Sequence, residues 1–306
     1  MSEQPLALEI SQLTKTYRNG FRAVKGIDLR VEQGDFYALL GPNGAGKSTT
    51  ISMLTSLTRK TSGSIRIFGH DIDQDFSRAK KKIGLVPQEF NLNVFERAVD
   101  VVRNQAGFYN LAPEVALERA EYYLDKLGLT DKKNSQVREL SGGMKRRLMI
   151  ARAMAHEPSL LILDEPTAGV DIEIRRSMWQ FLQQINAEGT TIILTTHYLE
   201  EAEQLCRRIG VINHGEMVYE GAMGQLLSQM DEETFVLNIE PQTLDPRVFS
   251  DFSLRQIDLE TIEVRVHRAN QTINTLIERL SAHNVRVHSM RNKVNRLEEL
   301  FMRLVN

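Results

Sequence analysis

The chain has 306 residues, 42% of them hydrophobic, with a formal net charge of −2. That length allows two ordinary domains, the apolar share excludes a mainly disordered chain, and the near-neutral balance supplies no global pull toward nucleic acid. One cysteine, Cys206, excludes an intrachain disulfide or a cysteine metal cluster and suits a reducing compartment.

From the N-terminus, Met1-Ser2-Glu3-Gln4-Pro5 has neither the basic nor the apolar region of a secretory signal. Leu8 to Val31 alternates polar and apolar around Arg18-Asn19-Gly20, which predicts an antiparallel hairpin. Phe36 to Leu40 reads as a short buried strand. Thr49 to Leu57 reads as a helix with Ile51, Leu54 and Leu57 on one side. Ser64–Gly69 and Ile83–Pro87 read as strands, and the pattern turns helical from Val94 to Leu140. Leu160–Leu163 and Thr191–Leu194 are apolar strands flanking a helix around Ile174 to Ile185. Strands alternating with helices predict a parallel sheet covered on both faces. The basic runs Lys80-Lys81-Lys82 and Lys145-Arg146-Arg147 read as solvated helix faces. Composition changes between Gly221 and Asp231. Beyond it, Thr234–Ile239, Ile262–Val266 and Val285–Val287 read as strands, and Thr272 to Leu280 as a helix. A one-sided helix carries Leu297, Leu300, Phe301 and Leu304, completing a small α+β module of roughly 75 residues. No segment reaches the ~18–20 apolar residues that cross a bilayer.

Two strings carry chemistry. Gly41-Pro42-Asn43-Gly44-Ala45-Gly46-Lys47-Ser48 fits the phosphate-loop pattern at every fixed position, between a strand and a helix. Its glycines let backbone N–H groups close around an anion at a helix N-terminus, where the dipole adds positive charge. Lys47 can reach the β- and γ-phosphates, and the Ser48 hydroxyl can ligate Mg²⁺. Downstream, Leu160 to Leu163 ends in Asp164-Glu165. Asp164 can bind Mg²⁺ there, and Glu165 can polarise a water for in-line attack on the γ-phosphate. ATP with Mg²⁺ is the ligand this pair of motifs predicts.

Leu140-Ser141-Gly142-Gly143-Met144 then resembles the signature of the nucleotide-binding subunits of ABC transporters, with Met144 at the usual glutamine place, a variant similar to that of ABC-2-type exporter ATPases. The resemblance covers roughly residues 6–225. It implies a P-loop NTPase α/β core with an antiparallel β subdomain and a helical subdomain. The ATP-binding domain then spans 1–225, with the helical part at about residues 90–155, and a small C-terminal α+β, ferredoxin-like domain spans 230–306. It further implies that residues Gly41 to Thr49 cradle the phosphates, and that Ser141, Gly142 and Gly143 contact the γ-phosphate of ATP held by a second copy, in a head-to-tail sandwich. Gln88 matches the residue that contacts Mg²⁺ or the attacking water. Ala168-Gly169-Val170-Asp171 matches the loop crossing the dimer interface, His197 the switch histidine and Tyr17 the aromatic that stacks on adenine.

The implied function is ATP hydrolysis powering export through a separate polytopic permease, on the cytoplasmic side of the membrane. The segment from Glu89 to Asn110, with Phe90 and Phe95, is its expected docking surface. An import ATPase and a soluble ATPase with a non-transport partner share most of these motifs. The single ATPase half, without heptad runs or zinc insertions, argues against ribosome- or DNA-directed relatives.

Overall fold

The structure is a computed structural model that describes residues 5–229, 232–245, 249, 252–267, 272–293 and 295–305. The N-terminal reading at Met1–Gln4, and Asp231 at the expected composition break, lie outside the described residues. The chain divides into two compact units, one covering Met1–Ala222 and the other Met223–Leu304.

The first unit opens with β1 (Leu6–Thr16) and β2 (Arg22–Glu32), paired antiparallel. Their turn closes where expected: the Tyr17 N–H donates to the Phe21 carbonyl and the Gly20 N–H to that of Tyr17. β4 (Ser62–Ile67) and β5 (His70–Asp71) complete a sheet of order β2-β1-β4-β5. Alternate residues such as Leu8, Ile10, Ile27, Leu29, Ile65 and Ile67 enter its core.

The second sheet carries the site. β3 (Phe36–Leu40), β6 (Ile83–Val86), β7 (Leu160–Asp164), β8 (Thr191–Thr195), β9 (Arg208–Asn213) and β10 (Glu216–Ala222) lie in the order β10-β9-β3-β8-β7-β6. Five of these strands run parallel, and β10 pairs antiparallel with β9 at the edge. Every residue of β3, β7 and β8 is buried, as unbroken apolar runs require when both faces are covered. The helix after β3 is α1 (Lys47–Leu54), shorter than the predicted 49–57. Ser56 turns to φ +57°, so Ile51 and Leu54 are buried while Leu57 is 72% exposed.

α2 (Phe76–Lys81) precedes β6. The helical stretch resolves into α3 (Ala98–Phe108) and α4 (Pro113–Lys126), which pack on α5 (Gly142–Met154). α6 (Ile172–Ala187) joins β7 to β8, and α7 (Leu199–Leu205) follows β8. The reading of Lys145-Arg146-Arg147 as a solvated face fails at its centre: Arg146 is 3% exposed.

The second unit holds α8 (Met223–Ser228), β11 (Glu232–Ile239), β12 (Ser253–Gln256), β13 (Thr261–His267), α9 (Ile273–Ala282), β14 (Val287–Asn292) and α10 (Arg296–Val305). Its sheet, β12-β13-β11-β14, is antiparallel throughout. Phe235, Leu237, Ile262 and Val264 pack there with Leu276 and Leu280 of α9. Across that sheet the four strands stand in the chain order second, third, first, fourth. Among the described residues a helix joins β13 to β14, and none joins β11 to β12. The strand expected at 285–287 begins at Val287 instead. Val285 is spent closing α9, its N–H donating to the Leu280 carbonyl. Among the described residues no helix is long and apolar enough to cross a membrane.

Candidate active site

The site forms where adjacent parallel strands end. β3 leads into the phosphate loop, β6 into Gln88, β7 into Asp164-Glu165 and β8 into His197, so the sheet order brings four distant segments to one edge.

The phosphate loop is a close backbone approach. Gly46 has φ +114°, and a Cβ there would stand 2.7 Å from the Ala23 carbonyl oxygen. At Gly41 a Cβ would collide with the backbone of Ile212. Both glycines are therefore required sterically. The first N–H groups of α1 have no partner within the helix, which makes this helix start a ready set of donors for an anion. Ala45 is buried, whereas Asn43, Gly44 and Ser48 are exposed and Gly41, Pro42 and Thr49 half-buried. Lys47 is 8% exposed, and its Nζ donates to the carbonyls of Gly41 (2.6 Å) and Pro42 (3.1 Å). Burial lowers the Lys47 pKa, and the charges of Glu165 and Asp164 oppose that shift. Tyr17 is 39% exposed, its hydroxyl 3.5 Å from Thr49 Oγ1 and its ring beneath Lys15 Nζ at 4.9 Å.

The two carboxylates are held differently. Asp164 is 8% exposed and accepts a 2.5 Å hydrogen bond from Thr195 Oγ1. Glu165 adopts φ +49°, a left-handed conformation that costs a residue with a long side chain free energy and recurs at functional sites. Its N–H is anchored on Thr195, 3.0 Å from the carbonyl and 3.2 Å from Oγ1. So turned, Glu165 Oε2 accepts from Gln88 Nε2 at 3.0 Å and lies 3.3 Å from His197 Nδ1. Gln88, Glu165 and His197 thus converge on one oxygen. An ionised carboxylate held this way can accept a proton from water at hydrogen-bond distance.

Ser141-Gly142-Gly143 stands apart from this cluster. Ser141 caps α5, its Oγ accepting from the Met144 N–H at 3.3 Å, and Ser141 and Gly142 are exposed. Gly143 packs so tightly that a Cβ would lie 2.7 Å from Ile174 Cδ1. Among the described residues no hydrogen bond joins this turn to the phosphate loop of the same chain. Asp171 caps α6 through the Ile174 N–H at 2.9 Å.

Ser48, Asp164 and Gln88 offer a hydroxyl, a carboxylate and an amide oxygen. Mg²⁺ takes such hard oxygen donors alongside phosphate and water, without an all-protein cage. Among the described residues no cluster of three or more His, Cys, Asp or Glu forms such a cage. The donor set fits Mg²⁺.

Sequence reasoning passed over three groups. Thr195 holds Asp164, and a hydroxyl at the end of an apolar strand was the available signal. Arg146 lies four residues before the fully buried Ile150, on the same helix face, and that spacing marks it as inward. Glu201 is fully buried and accepts from Trp179 Nε1 at 2.8 Å.

Comparison with known proteins finds relatives along most of the chain. The ABC transporter family model matches residues 24–168, which take in the phosphate loop, Gln88, the Ser141 turn and the carboxylate pair. The chain is 36% identical to a linearmycin resistance ATP-binding protein from Bacillus subtilis, across 92% of this chain and 93% of that protein. It is 38% identical to a daunorubicin/doxorubicin resistance ATP-binding protein from Streptomyces peucetius, across 99% and 94%. A Nod factor export ATP-binding protein from Cupriavidus metallidurans is 40% identical across 72% of each chain. Among solved structures, a dimeric ATP-binding cassette in a post-hydrolysis state, bound to ADP and Pi, superposes with a TM-score of 0.66. It is 30% identical and covers 71% of this chain and 98% of that one.

Proposed function

Because the chain belongs to the ABC transporter family, as an ATP-binding subunit that hydrolyses ATP, we propose that it powers export through a separate membrane permease, working as a pair of identical copies. The observation that carries the catalytic part is the convergence of Gln88 and His197 on the Glu165 carboxylate beside a complete phosphate loop. The export direction is supported by relatives that cover nearly the whole chain and are named for drug resistance.

In this reading the adenine stacks on Tyr17, and backbone N–H groups from Gly41 to Thr49 cradle the phosphates. Lys47 exchanges its two loop carbonyls for phosphate oxygens. Ser48, Asp164 and Gln88 hold Mg²⁺, which when bound neutralises charge on the β- and γ-phosphates. Glu165 takes the proton of the attacking water, and His197 and Gln88 keep its carboxylate aimed. Ser141, Gly142 and Gly143 of one copy close on the γ-phosphate held by the other, using an exposed helix N-terminus. Each ATP favours the closed pair only through its higher affinity for that state. The permease, of ABC-2 type, docks on the segment from Glu89 to Asn110, where Phe90 is 49% and Phe95 67% exposed. The subunit therefore works on the cytoplasmic face of the membrane.

The test is Glu165→Gln. Nucleotide affinity is expected to stay within about threefold, while turnover falls by about 10²–10⁴, the usual contribution of a positioned base. A closed pair should accumulate with ATP on size-exclusion chromatography. Turnover at the wild-type rate would remove Glu165 from the role of base.

A further inference from the structure

Arg146 lies in α5, five residues after the cap Ser141, and is almost wholly shut off from solvent. A buried guanidinium must find acceptors or carry a large desolvation cost. It finds two: Nη1 donates to the Pro87 carbonyl at 3.0 Å and Nη2 to the Gln88 carbonyl at 2.8 Å. A planar fork on successive carbonyls fixes the orientation of the peptide between them, which a single-point cation cannot do. The Phe90 ring covers the guanidinium, with Cζ 4.8 Å from its centroid. The Gln88 side chain leaves this clamped backbone and ends on Glu165 Oε2. Glu165 and Asp164 also act electrostatically on Arg146, opposing the lowering of its pKa by burial.

We propose that Arg146 is a positioning residue for ATP hydrolysis: by clamping the Pro87 and Gln88 carbonyls it sets the Gln88 amide on Glu165. The inference rests on Glu165 being the base. It adds a physical route, within one chain, from the helix that Ser141 opens to the group that activates water.

The test is steady-state ATP hydrolysis by the full chain carrying Arg146→Lys, alone and combined with Gln88→Ala. Lysine keeps the charge but loses the fork. Turnover is expected to fall about tenfold, while KM for ATP changes less than about threefold, the signature of a group felt mainly in the transition state. In the Gln88→Ala background the same substitution should cost less than about twofold, because a residue acting through Gln88 has nothing left to position. Equal losses in both backgrounds, or a thermal shift with unchanged turnover per folded molecule, would overturn the proposal. Should Arg146→Lys not fold, Phe90→Ala uncovers the guanidinium without removing it, and the same dependence on Gln88 decides the matter. If Glu165→Gln keeps full turnover, the assignment of the base is what fails. If it loses turnover while the Arg146 and Gln88 effects multiply, only the present inference fails.

Discussion

Replacing Thr195 by valine removes the hydroxyl that donates to Asp164 and also accepts, at 3.2 Å, from the Glu165 N–H. Valine preserves the β-branched shape, so the fully buried position gains no cavity and loses no strand preference. The Glu165 N–H keeps the Thr195 carbonyl at 3.0 Å. What disappears is the hydroxyl donor 2.5 Å from Asp164 Oδ1, on a carboxylate only 8% exposed. A hydrogen bond to a charged group contributes about 1.5–3 kcal/mol, and little water can replace it here. A unit of this size shifts its midpoint by roughly 2–4 °C per kcal/mol, so the expected loss is about 3–12 °C. Trp179 is the chain's only tryptophan and lies in the same unit as Thr195, so its fluorescence during urea unfolding reports that unit separately. Thr195→Ser is the control: it restores the donor and gives up one methyl group, worth about 1 kcal/mol. Thr195→Val within about 0.5 kcal/mol of the wild type, or Thr195→Ser less stable than Thr195→Val, would refute the reasoning.

Two further outcomes are expected. Burial raises the pKa of Glu201 above its ordinary value of 4.5, against the hydrogen bond from Trp179 Nε1. The folded chain therefore holds that proton more tightly than the unfolded one, and stability drains away as pH rises upward from 4.5. Glu201→Gln, which cannot ionise, should gain on the wild type through that window in urea titrations; a constant or shrinking difference would contradict this. Tyr17→Ala should raise KM for ATP roughly 5- to 150-fold, the equivalent of about 1–3 kcal/mol of stacking, with turnover little changed. Tyr17→Phe should stay near the wild type, and a large loss there would show that the hydroxyl near Thr49 matters instead.

The contiguous parts of the site were legible because their chemistry is local. A phosphate loop must have glycines at fixed places, and Asp164-Glu165 must end an apolar strand to reach it. The sheet of β3, β7 and β8 was equally legible, since continuous apolar runs leave few other readings. What escaped was non-local. The spacing to Ile150 turns Arg146 inward, but no local pattern names its acceptors, two carbonyls some sixty residues earlier, and the basic triplet by itself reads as a solvated face. Likewise Glu201 is held by Trp179 on another helix. The end of α1 was misplaced because apolar spacing continued past Ser56, whose left-handed turn no periodicity reveals. β12 has four residues, too few to display a period. Val285 looked like strand but caps a helix, because β-branched residues serve both ends of such a connection.

The left-handed backbone at Glu165 has an evolutionary corollary. Glycine would adopt that conformation freely and asparagine at small cost. A population selected only for thermal robustness should lose glutamate at this site, while one selected for turnover should recover it. With Glu165 as the proposed base, turnover and conformational ease are opposed at a single codon, where Thr195 grips the strained peptide from the neighbouring strand.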